Sequence, residues 1–144
     1  MKKAIYLLPL LILLALFIFA SEKKNRVRGE NYVQIKEKKF AVELALTEEE
    51  KNTGLGGREE ICMSCGMLFV FSQSGKYSFW MKNMKFPLDI IWIADGKISH
   101  IAKNIPSEYQ GIIAPDANAD KVLEINGGLA EKFNFKTGDR IIVW

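Results

Sequence analysis

From residue 31 onward, apolar and polar residues alternate mostly with period two, the spacing of strands that bury one face. Tyr32, Val33 and Ile35 lead through a turn at Glu37-Lys38 into a second alternating run at 40–46. Thr47-Glu48-Glu49-Glu50 reads as a capping box: Thr47 accepts from a first-turn amide while Glu50 reaches back, and three acids suit the positive helix start. That helix should stop at or near Gly54. Further strands are expected at 67–71, 77–81, 88–94, 97–102, 122–125 and 140–144, and Asp95-Gly96 is the strongest hairpin signal in the chain. Residues 104–120, with Pro106 and Pro115, read as a long loop, and 128–135 as a second short helix. Seven or eight strands and two short helices without βαβ alternation predict one mainly β domain, a compact antiparallel sandwich or a partly closed barrel.

The first twenty residues break this pattern. Seventeen are apolar, and 4–20 run AIYLLPLLILLALFIFA behind Lys2 and Lys3. Such a run fits a secretory signal peptide or a single membrane anchor, although seventeen helical residues reach only about 25 Å. The expected organisation is a signal or anchor at 1–20, a polar basic linker at 21–30, and the β domain at 31–144. The basic residues after the run (Lys23, Lys24, Arg26, Arg28) outnumber those before it, which by the positive-inside rule places the C-terminal side in the cytoplasm. Long domains cross membranes largely regardless of charge, so the expectation is an exported or membrane-anchored protein with its domain on the extracytoplasmic side. The membrane is then a partner through the N-terminal segment if that segment is not cleaved.

Removing the leader also changes the charge picture. The whole chain carries 20 basic and 17 acidic residues; without Lys2 and Lys3 the excess falls to one. This excludes a strongly basic nucleic-acid binder, and the length excludes a large multidomain enzyme. Lys and Glu number 16 and 12 against three Gln, a balance leaning toward a heat-adapted source, where disulfides also form inside cells.

Two constellations could carry chemistry. Cys62-Met63-Ser64-Cys65 offers two thiols that can form a tight disulfide, half a zinc site or a redox pair. A zinc site needs four ligands and His100 is the only histidine, and the apolar run after Cys65 reads as a strand rather than the helix of a thioredoxin-like motif; a structural bridge is the expected state. The second constellation is Phe79-Trp80-Met81-Lys82-Asn83 followed by Phe86-Pro87-Leu88-Asp89. Strand alternation sets Trp80 and Lys82 on one face, where an indole, a cation, an amide and a carboxylate could stack on and hydrogen-bond a flat ligand. The alternative is that Asn83 and Asp89 fix the backbone around Pro87 while Trp80 fills the core. Arg58 and Glu124 could be the charged partners of Asp89 and Lys82, structurally or within one polar site. Trp80, Trp92 and Trp144 could form a sugar platform, with Trp92 in an apolar strand reading more simply as core. No phosphate loop, Ser-His-Asp set or H-E-x-x-H motif is present, and no cofactor is expected.

These blocks resemble a known family, the domain of unknown function 192. Gly54-Leu55 with Arg58, Gly66-Met67-Leu68-Phe69-Val70-Phe71, Phe79-Trp80-Met81-Lys82-Asn83, Pro87-Leu88-Asp89-Ile90-Ile91, Val122 to Gly128 and Gly138-Asp139 match in order, over roughly Val33 to Trp144. The resemblance implies a compact mainly β fold in small, often exported proteins, with no accepted catalytic activity. The chain departs from that pattern at Gly56, where Met is usual, at Met84, where Thr is usual, and in having the cysteine pair, which argues for a local staple rather than shared chemistry.

Three functions follow as expectations. The first is a non-enzymatic module binding a small ligand or envelope partner, and no nucleic acid, through Arg58, Trp80, Lys82, Asn83, Asp89 and Glu124. The second is a small envelope or extracellular enzyme with Asp89 and Glu124 as acid–base pair. The third is a thiol-redox protein using Cys62 and Cys65.

Overall fold

The computed structural model describes residues 31–144. The leader and linker expected at 1–30 lie outside the described residues; among those described, no helix is long and apolar enough to cross a membrane.

Seven strands form one sheet: β1 (Tyr32–Ile35), β2 (Lys38–Ala45), β3 (Cys65–Gly75), β4 (Leu88–Ala94), β5 (Lys97–Ile105), β6 (Ala119–Asn126) and β7 (Ile141–Val143), in the order β5-β4-β6-β3-β2-β1-β7. Two short helices, α1 (Glu48–Thr53) and α2 (Leu129–Lys132), complete the domain. The edge strands touch at one corner, where Ile141 N donates to Gly96 O at 2.8 Å and Ile98 N to Asp139 O at 3.0 Å. The sheet is therefore a half-barrel, the partly closed form of the expected mainly β domain.

Local chemistry explains most of the turns. Asp95 and Gly96 both take positive φ, 51° and 67°, as a two-residue hairpin requires. Thr47 caps α1 with the reciprocal Glu50 contact, and Gly54 ends the helix at φ 51°. Two expectations are corrected. Strands β2 and β3 pair in parallel, so the chain must cross over between them, and residues 46–64 carrying α1 make that crossover. Residues 77–81 form no strand; one antiparallel bridge, Phe79 to Ile113, is all that pairs there. Trp92 Nε1, buried with its ring, takes the Tyr77 carbonyl as acceptor at 2.7 Å and turns this segment across the sheet instead of along it.

Both faces of the central strands are buried. One encloses a core to which every strand contributes (Val33, Val42, Leu68, Ile91, Ile98, Leu123 and Ile141), sealed by Leu129, Ala130 and Phe135. The opposite face carries Ala45, Met67, Phe69, Ile90, Trp92 and Val122, roofed by Leu55, Met81 and Ile113 from three loops. Such two-sided burial makes β4 apolar at nearly every position.

Cys62 and Cys65 are joined in the expected disulfide, their Cα atoms 5.0 Å apart. The bridge closes a four-residue loop just before β3, and Asn126 Nδ2 donates to the Cys62 carbonyl at 3.0 Å from β6. Loop-closure entropy for so short a loop is worth about 2 kcal/mol. Urea unfolding of the Cys62→Ser/Cys65→Ser variant should show a loss of that size, matched by the wild type in reductant; equal midpoints in all three would refute it.

A candidate binding cleft over the Glu124 face

Glu124 lies at the centre of β6, paired in register with Met67 of β3 and Ile90 of β4, so it projects into the loop-covered face. It is 4% exposed, and its Oε2 is buried with no hydrogen-bond partner among the described residues. Burial away from water raises its pKa from 4.5 to about 8. An orphaned carboxyl amid apolar neighbours costs stability, and native proteins seldom keep one without a use.

A narrow throat of about 30 Å³ reaches this carboxyl between Gly54, Leu55, Gly56, Phe69 and Phe79, with Lys51, Trp80, Lys82 and Met84 also along its walls. Gly54 shapes the roof. Its φ of 51° disfavours a side chain, and a Cβ there would stand 3.4 Å from the Phe69 ring and 3.8 Å from Glu124 Oε2. The throat shares Asn52, Thr53, Gly56, Trp80 and Lys82 with an outer vestibule of about 410 Å³, which Gly57 and Asn83 complete. Gly56 and Met84, two of the departures from the family pattern, both line this throat.

The segment 77–87 builds the rim. Met81 is buried and pins it down, Asn83 takes φ 59° and its carbonyl accepts from Gly57 N at 2.8 Å, and Trp80 is left half exposed. Lys82 Nζ stands 5.8 Å from the Trp80 ring centroid and makes no ion pair among the described residues. Trp80 also borders a groove of about 360 Å³ shared with Lys82, Asn83 and residues 107–112. Four of the six expected ligand-binding residues, Trp80, Lys82, Asn83 and Glu124, thus surround one cleft.

The other two lie elsewhere. Asp89 is fully buried and spent on the backbone: Oδ1 accepts from Asn104 N at 2.6 Å and Gly128 N at 3.1 Å, and Oδ2 from Ala130 N at 2.6 Å. It ties β5 and the start of α2 to β4. Because Ile90 is the residue that pairs with Glu124, its neighbour Asp89 points to the opposite face, and the acid–base pair of the enzyme reading is not assembled. Arg58 forms a bidentate ion pair with Glu43 at 2.5 and 2.9 Å, which raises its pKa chiefly through the hydrogen bond. The pair lines another cleft, of about 490 Å³, which adjoins the throat at Thr53 and Gly54 and also carries Glu49 and Glu50. Arg58 is therefore not the partner of Asp89, while Glu124 and Lys82 share one cleft without an ion pair between them.

The remaining candidates separate as well. Trp92 is core, and Trp144 packs against Tyr32 at the β1–β7 edge, so the three tryptophans form no platform. His100 sits 3.6 Å from Asp116 and edge-on to Trp92. Among the described residues no three metal-ligating side chains cluster, and both thiols are consumed in the bridge. Lys51 escaped the sequence reading, which names Gly54, Phe69 and Phe79 without a binding role; the signal pointing toward them is Glu124 itself, a lone carboxylate inside the apolar run from Val122 to Ile125.

Comparison with known proteins agrees with this architecture. No curated protein matches the sequence. A crystal structure from Novosphingobium aromaticivorans, of a protein of unknown function, is similar at 33% identity and a TM-score of 0.74, over 83% of this chain and 90% of that one. A second, from Sinorhizobium meliloti, described as a candidate transcription regulator, is similar at 31% identity and a TM-score of 0.73, over 78% and 91%. The model of the DUF192 family, described as "Uncharacterized ACR", matches residues 31–143, and the chain belongs to that family.

Proposed function

We propose that the domain is a small-molecule binding module whose recognition site is the cleft rimmed by Trp80, Lys82 and Asn83 and floored by Glu124. The observation that carries this reading is the buried, partnerless Oε2 of Glu124 at the end of an open throat. A half-exposed indole and an unpaired lysine at the mouth supply stacking surface and charge where a ligand would enter. In nitrogen–proton correlation spectra, a fragment library should shift the Trp80 indole resonance, assigned by its loss in Trp80→Phe. Hits that cluster instead at the Glu43–Arg58 cleft would refute the assignment.

A nucleic-acid role, as the description of the Sinorhizobium neighbour suggests for that protein, is not favoured for this one. Residues 31–144 hold 14 basic and 15 acidic side chains, and phosphate-backbone binding rests on excess positive charge. The proposal includes export or membrane anchoring, with the domain on the extracytoplasmic side. The apolar leader and the cysteine bridge support it. Protease accessibility in intact cells of the native host tests that placement.

A further inference from the structure

Resting on that reading, we infer that the cleft takes a small amino-carboxylate zwitterion, its ammonium group seated on Glu124 and its carboxylate on Lys82 and Lys51 at the mouth. Four observations converge on this ligand class. The throat of about 30 Å³ holds one or two water-sized groups, which suits an ammonium head and excludes a ring. Glu124 Oε2 has no hydrogen-bond partner among the described residues, and its strand neighbours Met67 and Ile90 can supply none, so once ionised it takes its donors from the ligand. Phe69, Phe79 and Trp80 line the approach, and aromatic faces attract cations. The charged groups that border the throat besides Glu124 are Lys51 of α1 and Lys82, both cations; β3 contributes only Phe69 there.

The two lysines make the choice of a zwitterion over a simple amine. Lys82 has no ion pair among the described residues, and Lys51 has only Glu48, an exposed partner at 3.1 Å. A bare amine would be repelled at the mouth and held at the floor. An amino-carboxylate satisfies both ends. A metal ion in place of the ammonium group is disfavoured, because Glu124 is the one carboxylate lining the throat and hard cations need several oxygen ligands.

Seating the ammonium group has a proton balance. In the empty cleft burial keeps the carboxyl protonated at neutral pH, with its pKa near 8. Bound against a cation it ionises, and the proton leaves to solvent. Forcing that ionisation at pH 7 weakens binding by about tenfold relative to a fully ionised carboxylate, so affinity should rise between pH 6 and 8.

Three four-carbon probes separate the possibilities: 4-aminobutyrate, n-butylamine and butyrate, titrated into the full-length chain by calorimetry at pH 7 in phosphate and in Tris. The expected order is 4-aminobutyrate tighter than butylamine by about tenfold, with butyrate weakest. The heat difference between buffers should report release of about one proton per ligand. Glu124→Gln should lose at least about tenfold for both amines, while Lys82→Gln should remove only the advantage of 4-aminobutyrate. Lys82 is exposed, so that variant keeps the fold if Glu124→Gln does not. Butyrate binding as tightly as the amines, with the same dependence on Trp80, would overturn the ammonium inference and leave the cleft as a binding site. No binding by any probe, together with a Trp80 resonance unmoved by the fragment library, would overturn both.

Discussion

Glu124→Gln should leave the protein nearly as stable as the wild type at pH 5 and make it more stable by several kcal/mol at pH 9. Burial raises the folded-state pKa of Glu124 to about 8 from an ordinary 4.5. Between those values the folded chain holds a proton that the unfolded chain has lost. Stability therefore falls as pH rises through this window, on the order of 1 kcal/mol per pH unit, and the penalty is complete above pH 8. Below 4.5 both states are protonated and the group contributes nothing. Glutamine keeps the shape and cannot ionise, so its curve loses this slope. Asp139 does not confuse the result. Burial raises its pKa, but the Lys136 amide and Lys36 outweigh that and lower it overall, so its contribution is present above 3.8 and is lost as pH falls below. Denaturant midpoints of both proteins at pH 5, 7 and 9 decide the matter, and parallel curves would remove the buried-carboxyl argument.

Asp89→Ala should have the opposite sign and no benefit at any pH. Its carboxylate satisfies three backbone amides, those of Asn104, Gly128 and Ala130, in a site with no solvent exposure. Removing it orphans all three donors and opens a cavity, at a cost of about 3–5 kcal/mol. Asp89→Asn should recover part of this, because its carbonyl can still accept from Asn104 N and Gly128 N while its amide nitrogen would face the Ala130 N–H, which requires an acceptor. A urea midpoint lowered by less than about 1 kcal/mol in the alanine variant would mean that water replaces the carboxylate, contrary to its burial. Two buried carboxylates on opposite faces of one sheet thus predict opposite mutational signs. One is matched by the backbone and the other by nothing among the described residues.

This difference marks the limit of what the sequence makes legible. Alternation, the capping box at Thr47 and the Asp95-Gly96 hairpin act over a few residues, and the corresponding elements form where expected. The parallel pairing of β2 with β3 follows from where the crossover packs, which no local pattern encodes. Residues 77–81 alternate like a strand, yet Trp92 draws their backbone away from the sheet through one hydrogen bond from fifteen residues downstream. At the site, Trp80, Lys82 and Asn83 are neighbours in sequence and remain neighbours in space. Arg58, in the crossover, takes its partner Glu43 from β2, and Asp89 and Glu124 are separated by a parity that only the β4–β6 register fixes. Residue types announce that a carboxylate is buried; register decides what it meets.

The β1–β7 pairing has a kinetic consequence. Val33 pairs with Val143, and Tyr32 and Trp144 exchange backbone hydrogen bonds at 2.7 and 3.0 Å, so the first described strand is completed by the last. The contact spans some 110 residues, and closing so long a loop precedes any reward from the contact. The hairpin of β4 and β5 can form early from nearby residues, whereas the sheet edge at β1 stays unfinished until residues 141–144 have left the ribosome. Pairing of β1 with β7 is therefore expected to be a late step of folding, the one that commits the domain to its native state.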